Sequence, residues 1–318
     1  MYLLIDLPFI SFIYFPNAFK LVYLLPFMSE KITGEELALG GQAVLEGVMM
    51  RSSKKCNVSV LHEKKILNKS ISIKTPRLPF LRKIPFVRGM FVLIDSLKVG
   101  YAALQYSAAV ATDEEETSWW EAVVPIFFSV LIALLLFAFF PFWISRLIFT
   151  DSGWLYLLEG AIKAVIFVGY IFGISFLPDI KRVFEFHGAE HKAIHCYETY
   201  GNTSKLTPKN AHVFSRIHPR CGTTFLFLVV LISIFVYAVI PLDMPFWAAF
   251  VLRLLFLPVI AGISYEILRI VPRLSRKNPL RWILFILESP GLLLQKITTR
   301  EPSLKQLSVA IHSLKKVL

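Results

Sequence analysis

The sequence predicts an all-α membrane protein: about four transmembrane helices, interfacial amphipathic helices and a small cytoplasmic β-hairpin unit. Three observations carry that prediction. Of 318 residues, 56% are apolar and 28 are Phe, and mean hydropathy is +0.62, more apolar surface than the core of a soluble domain absorbs. Four apolar runs, at 122–143, 155–177, 224–240 and 247–265, approach or reach the ~20 residues a helix needs to cross a bilayer. The cations are distributed unevenly between those runs. The link 144–154 carries only Arg146 and 241–246 carries none, whereas 179–222 holds Lys181, Arg182, Lys192, Lys205, Lys209, Arg216 and Arg220. The positive-inside rule then places the long loop and both termini on the cytoplasmic side of the membrane. The net charge of +12 is accounted for by anionic headgroups, so the expected partners are the lipid bilayer and those headgroups, with no nucleic acid. A homo-oligomer or a membrane protein partner stays open.

Taken in order, residues 1–27 are apolar but broken by Pro8, Pro16 and Pro26. They lack the basic flank and cleavage site of a signal peptide, and read as a start-site artefact or weak anchor ahead of Met28. In the cytoplasmic segment 28–85, Val58, Val60, Ile71 and Ile73 alternate around a polar turn, the pattern of a β hairpin. Segment 86–118 is long enough to cross, yet Arg88, Asp95 and Lys98 interrupt it, and crossing would carry the Lys-rich stretch 51–83 outward. An interfacial or re-entrant helix is expected there, with a solvated acidic run at 113–116. Transmembrane helices 1 and 2 fill 119–178, a cytoplasmic His-rich loop fills 179–222, and helices 3 and 4 fill 223–266. The tail, 267–318, is expected to be interfacial: Glu288 and Ser289-Pro290-Gly291 break its apolar run, and 302–318 reads as an amphipathic surface helix opening near Ser303.

Within the spans, Glu159 and Lys163 lie one turn apart and Arg253 falls at a similar depth. An unpaired charge at such depth costs at least about 2.5 kcal/mol. A structural ion pair locking two helices is therefore expected ahead of a transport pathway. Cys56, Cys196 and Cys221 are too few and scattered for a disulfide framework.

The stretch "FHGAEHKAIHC", 186–196, concentrates the chemistry. At about 100° per residue, His187, His191, His195 and Glu198 fall within one narrow arc of a helix, with Glu190 to one side. His187 and His191, one turn apart, can share one ion, and Glu190 is then close enough to polarise a metal-bound water. The order is that of the HxxEH motif of inverted zincins. Further ligands are available from His218 and Cys221 in "HPRCGT", or from Glu198 and His195. Imidazole with thiolate favours zinc, another divalent transition metal being the alternative. Against this stand plainer readings: the histidines as a polar helix face, Cys221 as a small buried residue or a nucleophile, and Glu46 and Arg51 as a charged turn.

The blocks "GGQAVLEGVMMR" (40–51), "PFVRGMFVLIDSLKVG" (85–100), "FHGAEHKAIHCYE" (186–198) and "HPRCGTTF" (218–225) resemble the signature blocks of a family of bacterial multi-pass membrane proteins without assigned function, some of which are labelled metal-dependent enzymes. The resemblance spans roughly 40–300. It implies an inner-membrane location and a metal role, and no substrate. The functional expectation is a metal-dependent hydrolase acting on a lipid or peptide at the inner membrane surface. A non-catalytic scaffold or regulator with a structural metal is the alternative, and a small transporter a third.

Overall fold

The computed structural model describes residues 39–73, 84–113, 119–150, 152–270 and 279–318. The apolar leader 1–27, the start at Met28, the cations of 74–83 and the acidic residues 114–116 lie outside the described residues.

The described residues open with a four-stranded antiparallel meander, β1 (Gly40–Val44), β2 (Gly47–Arg51), β3 (Cys56–His62) and β4 (Lys65–Ile71), in the order β1-β2-β3-β4. The single hairpin expected from alternation is therefore only the β3–β4 half of the sheet. The β1–β2 half escaped because "GVMM" is buried on both faces, so it shows no polar alternation to read. Glu46 and Glu63, with φ of 53° in the two-residue turns, reverse the chain.

Helices follow. They are α1 (Val87–Thr112), α2 (Trp119–Leu134) running through a π-helical stretch (Leu135–Phe139) into α3 (Phe140–Ile148), α4 (Trp154–Ile174), α5 (Pro178–Tyr200) and α6 (Pro208–His212). Then come α7 (Gly222–Tyr237), α8 (Phe246–Ile270), α9 (Pro279–Thr298) and α10 (Leu304–Val317). Three helical runs among the described residues, Trp120–Ile148, Trp154–Ile174 and Phe246–Ile270, are long and apolar enough to cross a membrane. The fourth expected span, α7, is apolar but has 16 residues.

Both faces of the sheet are covered. Val44, Met49, Val58 and Val60 pack on Val99 and Ala103 of α1. On the other face, Val48, Met50 and Leu61 share a core with Ala189, Ala193 and Ile194 of α5 and Leu307, Ala310 and Leu314 of α10. Two segments expected at the membrane interface have packing partners in the fold. The second half of α1 lies on the sheet, while its first half docks on α8, where Arg88 Nε donates to Glu266 Oε1 at 2.6 Å. The closing helix α10, expected on a surface, is buried in this core, its start fixed by the Ser303–Gln306 capping box. An amphipathic period gives the apolar face but not whether lipid or a sheet covers it.

Among the apolar helices, Glu159 of α4 accepts from Lys163 Nζ at 2.7 Å and from Arg253 Nη2 of α8 at 3.1 Å. Arg253 also stacks 3.7 Å from the Phe142 ring centroid. Every member of this cluster is buried, as the cost of a lone charge requires.

Candidate metal centre

Pro178 opens α5 at a position that has no intrahelical N–H to lose, and Gly201, at φ 60°, closes it. Nearly three turns in, the helix presses on the link that follows α9. A Cβ on Gly188 would fall 2.1 Å from Arg300 O, and Arg300 N donates to Phe184 O at 2.9 Å. That close approach fixes the histidine face.

His187 Nδ1 lies 2.8 Å from Thr298 O, and His191 Nδ1 lies 2.6 Å from Arg216 O. A carbonyl only accepts, so both Nδ1 atoms carry the hydrogen and both Nε2 atoms present lone pairs. The first of these faces Cys221. His187 Nε2 is 3.3 Å from Sγ, and ligand atoms of His187, His191 and Cys221 all lie within 4.8 Å of one another. Thr223 N and Oγ1 also approach the sulfur, at 3.4 and 2.9 Å. Two imidazoles and the Cys221 sulfur thus come together in a set that could hold a metal ion.

Burial, foremost, depresses the buried histidines: His191 to about 4, His195 to about 3 and His218 to about 4. They are neutral near pH 7, the form a metal ligand requires. Glu190 is buried beside them and burial pushes it up to about 7, against the pull of His187 and a hydrogen bond from the Gly41 main chain. A cavity of about 290 Å³ joins these groups, with Gly40–Ala43 of β1 on one wall and His187, Glu190, His191 and Cys221 on the other.

The six candidate ligands separate into two sets. His195, Glu198 and His218 form a second close group, but its hydrogen bonds already match donors to acceptors. Arg220 N donates to His218 Nδ1 at 3.2 Å, which leaves His218 Nε2 to donate to Glu198 Oε2 at 3.4 Å. Arg220 also forms an ion pair with Glu198, and His195 Nε2 donates to Ile217 O at 3.0 Å. This set braces the loop that delivers Cys221. Glu46 forms an ion pair with Arg182 and, like Arg51, does not line the cavity. Cys196 is buried away from it and pushed up to about 11 by burial.

Some contributors carry no signature in the sequence. Thr298 and Arg216 act through main-chain carbonyls, which any residue supplies. Gln295 reaches the loop from α9, accepting from His218 N at 2.8 Å and donating to His218 O at 2.9 Å. Gly41 did leave a trace, the Gly-Gly pair of the first block: a Cβ there would sit 2.8 Å from the Glu190 side chain.

Residues 84–318 match the model of a family described as "Protein of unknown function (DUF1385)". The chain is also similar to "Uncharacterized protein YqhQ" of Bacillus subtilis (strain 168), 33% identical over 302 residues, covering 88% of this chain and 92% of the relative. No solved structure matches.

Proposed function

The chain belongs to the DUF1385 family of proteins of unknown function, and from that premise we propose a membrane-bound, zinc-dependent hydrolase. In this reading α7 is a fourth crossing, the His-rich loop and both termini are cytoplasmic, and the centre lies at the inner membrane surface. His187, His191 and Cys221 hold the ion. The approach of His187 Nε2 to the Cys221 sulfur, with a ligand atom of His191 within 4.8 Å of both residues' ligand atoms, is the observation that supports it most.

Three protein ligands leave zinc the open position of a catalytic rather than a structural site. A bound divalent ion there supplies Lewis acidity toward the reacting oxygens. Glu190, near neutrality at about 7, takes a proton from attacking water and returns it to the leaving group, the role for which a raised carboxyl is suited. The Gly41 main chain holds that carboxyl in place. The cavity beside it receives the substrate.

Glu190→Gln separates catalysis from scaffolding. Detergent-solubilised protein is incubated with a bacterial lipid extract and with a defined peptide mixture, and products are read by mass spectrometry. Retained metal with lost hydrolysis supports the enzyme. Unchanged behaviour of Glu190→Gln, with loop collapse in His187→Ala, supports a structural ion in a scaffold instead.

A further inference from the structure

We propose that the substrate is an extended peptide segment, which adds as a fifth strand to the free edge of β1; the inference rests on the metalloenzyme reading above. The strand order leaves β1 paired on one side only among the described residues. The register Val44↔Gly47 closes the β1–β2 hairpin through a two-residue turn. In such a hairpin alternate residues turn their N–H and C=O away from the partner. Here those residues are Gly41 and Ala43; both line the cavity together with Glu190, whose side chain would lie 2.8 Å from a Cβ on Gly41.

An unpaired edge is a liability that proteins cover, charge or bend away. This one instead borders the candidate metal centre, and it starts with two glycines. A Cβ on Gly40 would meet nothing within 4 Å. An extended peptide laid beside Ala43 satisfies the outward N–H and C=O with its own main chain. It also carries a scissile amide along the strand direction past Glu190 toward His187 and Cys221. An acyl chain offers no groups to pair with that edge. In the reaction the amide C–N bond breaks: water gives its oxygen to the acyl carbon, Glu190 carries the proton to nitrogen, and an acid and an amine leave without redox change.

The test uses the full chain in detergent, loaded with Co²⁺, whose visible spectrum reports exogenous ligands. The probes are acetohydroxamate, Ala-Val-Ala hydroxamate, its alternately N-methylated analogues in both phases, and lauroyl hydroxamate. The expected result is that the peptide binds at least about ten-fold tighter than acetohydroxamate. N-methylation should remove that gain in one phase only. Ala43→Pro, which deletes an outward N–H on an edge strand, should also remove it; the N-methyl series does not depend on that variant folding. A response to acetohydroxamate with no gain from the peptide, or with the gain from the lauroyl chain, overturns the peptide while leaving the metal centre standing. Failure to retain cobalt overturns both.

Discussion

His187 Nε2 lies 3.3 Å from Cys221 Sγ, across 34 positions of sequence. The contact is made by two unrelated devices. Gly188 lets α5 settle on the link after α9, which orients His187 through the Thr298 carbonyl. Gln295 clamps both main-chain groups of His218 and so sets the turn that presents Cys221. Helix α9 therefore holds both halves of the centre.

Purified protein is expected to carry one transition-metal ion per chain by elemental analysis. His187→Ala, His191→Ala and Cys221→Ser should each weaken it by at least ~100-fold, beyond the range seen for outer-sphere changes. His195→Ala and Glu198→Gln, in the hydrogen-bonded set, should keep it. Equal loss from both sets would merge them into one site and refute the division.

Gly188→Ala should destabilise by about 1–3 kcal/mol, since the added methyl meets the Arg300 carbonyl, a main-chain atom that cannot rotate aside. Gly169→Ala serves as the control, because nothing lies within 4 Å of a Cβ there. It should be neutral or slightly stabilising through helix propensity. Thermal denaturation of the two variants in one detergent decides the matter.

Glu159→Gln should cost about 3–5 kcal/mol, because it leaves Lys163 and Arg253 buried without their shared carboxylate. Folded yield and thermal midpoint should drop while metal content per folded chain stays constant. A variant of full stability that had lost only activity would point to a functional role for the cluster.

Burial, helped by Lys316 and Lys315, holds His312 below its ordinary 6.5. The folded chain therefore disfavours the proton that the unfolded chain accepts, so stability is lost as pH falls below about 6.5. His312→Gln should remove that component. Between pH 7 and 5 the wild type should lose more stability than the variant, and parallel melting curves would contradict the assignment.

Local signals in the sequence proved informative where a residue's role depends on its own neighbours. The helix start expected near Ser303 is present, capped by that side chain. Signals that depend on a distant partner were silent or ambiguous. Met49 and Met50 face opposite cores, so their strand shows no alternation, and α10 presents an apolar face whose cover is a sheet.

The sequence by itself determined the apolar character of the long helices, the alignment of His187, His191 and His195 on one face of α5, and the family. The first two follow from composition and from the fixed 100° step of a helix, and the family from the four sequence blocks it resembles. Only the tertiary structure decided which histidines share Cys221, that His218 is held by Glu198 and Arg220 and His195 by the Ile217 carbonyl, and that an edge left unpaired among the described residues borders the site. Hydrogen-bond partners select the tautomer and thereby the atom left to bind, and those partners, Thr298, Arg216 and Ile217, are brought there by long-range packing that no local period encodes.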